Sequence, residues 1–217
     1  MKIKIMRNVL DKNQDKANDI RQLLEQNHVV MFNFISSPGT GKTSLLEILC
    51  KNLAQEYRIG IIEGDAYTDR DAKRLIKYHV PVVQINTEGG CHLDSNSISN
   101  ALAEFDLDKL DVILVENVGN LICPTVFDLG ENYRVALIST TEGDDKPAKY
   151  PMLFRKADMI ILNKIDLMQY TNFNMGNFKT DLQQLGINTP FYEISCTQQN
   201  GIHNVLEWFK GKFKFRS

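Results

Sequence analysis

Little in this sequence is extreme, and its shortages exclude several classes of protein. The 217 residues include only four cysteines and one tryptophan. So few thiols cannot staple a chain of this length, which leaves Cys50, Cys91, Cys123 and Cys196 for packing or metal ligation in a reducing compartment. No segment approaches the roughly 18 to 20 apolar residues of a membrane span. The start, Met1-Lys2-Ile3-Lys4-Ile5-Met6-Arg7, is basic but lacks the apolar stretch of a signal peptide. A cytoplasmic protein without membrane association is therefore expected. Neither sign of charge dominates, with 25 basic against 27 acidic residues. A polyanion-binding face is not indicated, so nucleic acid is not an expected partner. Internal repeats, low-complexity stretches and an evident linker are also missing.

What is present is a hydrophobic content of 43%, enough for one substantial core, and residues 1–217 read as a single domain. A polar helix is expected over about 11–27, with Ile20, Leu23 and Leu24 as its apolar positions. After it, short apolar runs alternate with helical patterns. The runs are Val29 to Ile35, Ile59 to Ile62, Val80 to Ile85, Val112 to Val115, Val135 to Ile138, Met159 to Leu162 and Phe191 to Ile194. Several lack the polar alternation of a half-exposed strand, which is the pattern of a mostly parallel sheet covered by helices on both faces. The expected fold class is a doubly wound α/β domain of the P-loop NTPase kind, with ligands at the carboxyl ends of its strands. A last helix from about Ile202 to Lys210 presents Ile202, Val205, Leu206 and Phe209 as a core face.

The first run ends in Ser36-Ser37-Pro38-Gly39-Thr40-Gly41-Lys42-Thr43, a phosphate-binding loop between a strand and a helix expected over about Lys42 to Leu53. Small residues let backbone N–H groups converge on phosphate oxygens, Lys42 brings a compact charge to the β- and γ-phosphates, and the Thr43 hydroxyl can ligate Mg²⁺. Gly39, Thr40, Gly41, Lys42, Thr43 and Ser44 are the expected nucleotide contacts. Ser36 stands where the pattern G-x-x-x-x-G-K-[ST] has glycine, and is read as a tolerated variant.

Asn163-Lys164-Ile165-Asp166, after the run Met159 to Leu162, is an N-K-x-D arrangement. The Asp166 carboxylate can accept from the ring N–H and exocyclic amine of guanine, a donor pair that adenine lacks, while the Lys164 stem covers the base. Asn163, Lys164 and Asp166 are therefore guanine-site candidates and the nucleotide is expected to be GTP or GDP. Ser195-Cys196-Thr197 follows another strand, and Ser195 is a looser candidate for the base loop. Cys196 is read as a base-loop or packing residue.

Asp65 and Glu116 lie at two further strand ends. Either can contribute to a Mg²⁺ shell, which needs only one or two carboxylates; with Lys42 they are the candidates for the catalytic centre. Glu116-Asn117-Val118-Gly119 resembles D-x-x-G, with the Gly119 N–H available to the γ-phosphate. No glutamine is evidently placed to orient an attacking water, so slow intrinsic hydrolysis is expected.

Gly89-Gly90-Cys91-His92-Leu93-Asp94 sets a thiol beside an imidazole, a donor set suited to Zn²⁺ or Ni²⁺ rather than Mg²⁺. Cys123 follows Gly119 closely, so one loop has a phosphate contact at one end and a soft ligand at the other. Three ligands leave a tetrahedral site incomplete, and the fourth is expected from a second copy or a partner. Cys50 is read as core, and His28, His79 and His203 as structural or surface residues.

The chain resembles the HypB family of GTPases, which insert nickel into [NiFe]-hydrogenases. The resemblance rests on Ser36 to Thr43, Glu63-Gly64-Asp65, Gly90-Cys91-His92-Leu93-Asp94, Glu116 to Leu121 with Cys123-Pro124, Asp144-Asp145-Lys146-Pro147 and Asn163 to Asp166, all in one order from about Val29 onward. The Cys-His and Cys-Pro pairs set it apart from the related urease and methylmalonyl-CoA mutase GTPases, and the serine at position 36 is usual in the family. The resemblance implies a nickel or zinc site at Cys91, His92 and Cys123, and a homodimer promoted by GTP or metal. It also implies partners in hydrogenase maturation, namely a nickel-binding chaperone and the hydrogenase large subunit. The cysteine-rich N-terminal nickel motif and histidine-rich stretch of some members have no counterpart before Cys50, so N-terminal nickel storage is not expected. The rival readings are a regulatory GTPase with structural cysteines, a non-catalytic metal-binding scaffold and, more weakly, a small-molecule kinase.

Overall fold

In the computed structural model, which describes residues 9–65 and 70–213, helices alternate with strands along the chain. The basic start from Met1 to Arg7 lies outside the described residues. The chain begins with α1 (Val9–Gln26), β1 (Val30–Ser36), α2 (Lys42–Leu53), β2 (Ile59–Asp65), α3 (Arg70–Ile76), β3 (Val82–Asn86) and α4 (Ser95–Leu102). It continues through β4 (Val112–Glu116), α5 (Cys123–Val126), β5 (Tyr133–Ser139), α6 (Lys146–Lys149), α7 (Pro151–Lys156) and β6 (Met159–Asn163). It closes with α8 (Met175–Gln184), β7 (Phe191–Glu193) and α9 (Ile202–Lys210). The sheet order is β3-β2-β4-β1-β5-β6-β7, and every pairing is parallel.

The burial of each strand follows from its place in the sheet. β1, β4 and β6 are buried along their whole length, because helices cover both faces of the sheet and neighbouring strands cover both edges. The outermost strands β3 and β7 stay partly exposed. On one face, α2 and α9 close a core around Phe32 and Phe34; Phe209 of α9 meets Phe32 at 4.8 Å between ring centroids. Ile202, Val205 and Phe209 are buried and Leu206 packs against the same core, at about 2 kcal/mol for each fully buried side chain. The opposite face has two cores, one beneath α1 and α4 and one beneath α7 and α8.

Helix α1 shows which face a weakly apolar sequence presents. Asn13, Ala17, Ile20 and Leu24 are buried, a stripe at helical spacing, while Leu23 is 37% exposed. Leu23 is therefore a surface residue and not part of the apolar stripe. The stripe contains Asn13 because α1 contacts backbone groups as well as side chains: the Asn13 amide donates to Asp128 O and accepts from Ser95 N.

β1 is the switch point of the sheet, with β4 on one side and β5 on the other. Chain connections leave in opposite directions there, which opens a crevice at the carboxyl ends of the strands. The phosphate loop, the Glu116 turn and Asn163 all lie at those ends.

Candidate functional site

The crevice at the end of β1 encloses about 630 Å³ and is lined by the loop from Pro38 to Ser44, Glu63 to Asp65, Asp71, Arg74, Glu116 to Gly119 and Lys164. Gly39 and Gly41 adopt positive φ, 72° and 103°. At Gly41 a Cβ would lie 2.5 Å from Asn163 Nδ2, so both backbone conformation and space require glycine. Lys42, 8% exposed, donates to Ser36 Oγ at 2.9 Å. Ser36, irregular against the glycine pattern, thus gives the lysine a partner. Burial pulls the Lys42 pKa down, while Glu116 and other nearby carboxylates oppose the shift. Ser44 accepts from Arg74 at the rim.

Asn163 and Lys164 brace this loop. Asn163 Nδ2 donates to Thr40 O and its Oδ1 accepts from Cys196 N, while Lys164 Nζ reaches Gly39 O at 2.6 Å. Lys164 holds a left-handed backbone, φ 61°. Asp166 instead faces a second cavity, with Ile165, Met168, Gln169, Gln198 and Asn200. Its Oδ1 is buried without a hydrogen-bond partner, which suits a carboxylate awaiting a donor pair. Ser195 is fully buried, and its hydroxyl accepts from Gln198 N, so it shapes the loop after β7 from behind. Cys196 packs against the main core, and burial pushes its thiol up to about 11.

The acidic end of the crevice is larger than sequence reasoning foresaw. Parallel register sets Glu63 of β2 beside Glu116 of β4. Carboxylate oxygens of Glu63, Asp65 and Asp71 lie within 4.8 Å of one another. Thr43 Oγ1 donates to Glu116 Oε1 at 2.9 Å. Burial, reinforced by Glu116 and Asp65, pushes Glu63 up to about 8; burial likewise raises Glu116 to about 7, against the pull of Lys42. The Oε2 atoms of both glutamates are buried and unpartnered. Such crowding of hard oxygen donors beside the Thr43 hydroxyl fits a Mg²⁺ ion. Asp65 and Glu116 were candidates; Glu63 and Asp71 were not. Glu63 has a sequence signal, because positions two apart on a strand share a face with Asp65. Asp71, on α3, has none.

The soft ligands also converge. One donor atom from each of Cys91, His92 and Cys123 lies within 4.8 Å of the others, and Cys91 Sγ sits 3.5 Å from His92 Nδ1. The imidazole stacks on Phe127 with centroids 3.9 Å apart, and burial lowers its pKa, favouring the neutral form, the one able to ligate a metal. Hydrogen bonding to the Cys91 thiol raises the Cys123 pKa. Cys91 is exposed and Cys123 half-buried, and Ile122 and Val126 beside Cys123 are 61% and 47% exposed. Cys50 is core, its thiol pushed up to about 12 by burial, and His28, His79 and His203 are exposed.

Sheet order, phosphate loop and crevice define a P-loop nucleotide-binding protein that has a soft-ligand cluster at the far end of one of its phosphate-facing turns. The family model for the CobW/HypB/UreG nucleotide-binding domain matches residues 30–193. The hydrogenase/urease maturation factor HypB of Helicobacter hepaticus is 40% identical over 97% of this chain and 88% of its own length. This chain belongs to the HypB family of maturation factors. The crystal structure of HypB from Archaeoglobus fulgidus superposes with a TM-score of 0.87 at 35% identity, covering 93% of this chain and 98% of that one. That of Helicobacter pylori HypB in complex with nickel gives 0.86 at 34%, covering 95% and 99%.

Proposed function

We propose that this protein is a GTP-hydrolysing nickel metallochaperone that delivers nickel during hydrogenase maturation. Family membership makes it a nickel-delivery GTPase of the maturation machinery. The observation that carries the reading is the thiol–imidazole cluster of Cys91, His92 and Cys123, joined to the phosphate crevice by the short segment from Glu116 to Cys123.

The site residues take the following roles. The loop from Gly39 to Ser44 holds the phosphates through backbone N–H groups, and Lys42 offsets their charge. Asp166 selects guanine; Asn163 and Lys164 act mainly by fixing the phosphate loop against the base site. Thr43, Asp65 and Glu116, with Glu63 and Asp71, would hold Mg²⁺, which when bound neutralises charge on the β- and γ-phosphates. Among the described residues that line the crevice there is no glutamine; slow intrinsic hydrolysis is part of the proposal. Nickel, or zinc, is the cargo of Cys91, His92 and Cys123. The exposed Ile122 and Val126 beside this incomplete donor set support a homodimer that pools ligands, promoted by GTP or metal. A nickel-binding chaperone and the hydrogenase large subunit are the expected donors and recipients.

Residues 1–217 act as one domain in this reading. Among the described residues no helix is long and apolar enough to cross a membrane; the cytoplasmic location is part of the proposal. The test is nickel affinity measured with GDP and with a non-hydrolysable GTP analogue. A difference of about tenfold, equivalent to about 1.4 kcal/mol, is expected; equal affinities would remove the coupling.

A further inference from the structure

We propose that Asn117 is a positioning residue that ties the phosphate-facing turn to the loop carrying Cys91 and His92, so that a displacement at one end is transmitted to the other. The proposal rests on the nucleotide and metal sites assigned above. Asn117 is 1% exposed and its one amide serves both segments. Oδ1 accepts from Leu93 N at 3.2 Å and from Val118 N at 2.9 Å. Its backbone N–H donates to Phe34 O, which fixes the residue to the end of β1 beside the phosphate loop.

Both ends of this link are tightly seated. At Gly119 a Cβ would meet Pro38 Cγ at 2.8 Å, so the turn lies directly on the phosphate loop. On the metal side, Leu93 is buried, and a Cβ at Gly64 would meet Leu93 Cδ1 at 2.8 Å. Leu93 is thus held by its N–H to the end of β4 and by its side chain to the end of β2, the two strand ends that supply Glu116 and Asp65. Its chain neighbour is His92.

The segment that carries Cys123 is connected to the same amide through buried side chains. Asn117 Nδ2 donates to Asn33 Oδ1, and Asn33 Nδ2 to Glu131 Oε1. Glu131 accepts from Leu129 N and from Arg134, whose Nη1 reaches Thr125 O. Asn33, Glu131 and Arg134 are all buried. Buried donors left unpaired are costly, so a shift of the turn from Asn117 to Gly119 must either carry Leu93 with it or abandon an interior hydrogen bond. Carrying Leu93 along keeps that bond, and it shifts Cys91 and His92 against Cys123, whose helix α5 is held through Thr125 to Arg134 of β5.

The experiment uses the full chain in two measurements. Amide hydrogen exchange of Leu93 and Val118 is followed by NMR without nickel, first with GDP and then with a non-hydrolysable GTP analogue. Both amides are expected to change protection together, by about tenfold. A Leu93 rate that stays fixed while Val118 changes overturns the link. Nickel is then titrated at saturating nucleotide into wild type, Asn117→Leu and Asn117→Asp. The leucine variant should bring the affinity ratio between nucleotide states to within about twofold of one, whereas aspartate, which keeps an acceptor toward Leu93, should retain most of it. A leucine variant that folds and keeps the wild-type ratio overturns the proposal; if it does not fold, exchange on the wild-type protein decides. Equal nickel affinities in wild type together with a nucleotide-dependent Leu93 amide would instead sink the nickel-coupling reading and leave the link standing.

Discussion

The phosphate loop and the soft-ligand cluster reach their geometry by different means. The loop from Ser36 to Thr43 is one continuous turn, packed against Asn163 and Lys164, with its lysine buried. Cys91 and His92 come instead from the loop before α4 and Cys123 from the start of α5, after β4, and Cys91 is exposed. The nucleotide cradle is therefore preorganised by local sequence, whereas the cluster depends on how two segments are held by the interior. A preorganised site should lose function through its own residues, and an assembled site also through residues that never touch the ligand.

The largest break in this comparison is expected at Lys42. Lys42→Ala should weaken GTP binding by at least about 100-fold, because a buried charge aimed at phosphates is removed, while nickel binding without nucleotide stays near wild type. Fluorescent guanine nucleotide and nickel titrations check both. Equal damage to both sites would show that the cluster needs an intact phosphate loop.

Asp166→Asn should lower GTP affinity by about 100-fold and raise affinity for xanthosine nucleotides. Xanthine has a carbonyl where guanine has its exocyclic amine, and an asparagine amide can donate to it. Competition binding with both nucleotides measures the switch.

On the other side of the comparison, Cys123→Ser should reduce nickel affinity by about tenfold or more and leave nucleotide affinity unaltered. Phe127→Ala, which removes only the ring stacked on His92, should lower nickel affinity by about threefold. Unchanged affinity in the Phe127 variant would mean that the imidazole is placed by its own loop alone.

The smallest effect concerns the far anchor of the Cys123 loop. Burial opposes ionisation of Asp128, but hydrogen bonds from Arg21, Gly130 N and Gln14 overcome it and bring its pKa to about 2. A carboxyl depressed below its usual value of 3.8 stabilises the fold above that pH, and the contribution is lost as pH falls toward about 2. Arg21 is partly exposed, so screening limits the gain to about 1 kcal/mol. Urea unfolding of wild type and Asp128→Asn should differ by that amount at pH 7 and converge near pH 2.

Much of this was legible beforehand. Lys42 to Leu53 and Ile202 to Lys210 are helices within the expected bounds, because each has a turn or loop at its start and a full apolar face. Each expected strand is present with its ends shifted by a few residues. Two adjacent leucines on a polar helix do not show which one faces inward; packing against α4 and Leu129 selects Leu24 over Leu23. The N-K-x-D pattern points Asn163 and Lys164 to the base, whereas their bonds to Thr40 and Gly39 depend on β6 lying two strands from β1, a placement that no local pattern states.

By itself, the sequence determined the run of buried strands and the phosphate loop, and it singled out Asp166 and the soft donors Cys91, His92 and Cys123, since each depends on residue type in a local motif. Only the tertiary structure decided that Glu63 and Asp71 join Asp65, that Glu63 lies level with Glu116, and that one buried asparagine holds both the phosphate-facing turn and Leu93. Those relations join residues from different strands and loops. Their distances are set by strand order and register, which emerge only when the whole sheet packs.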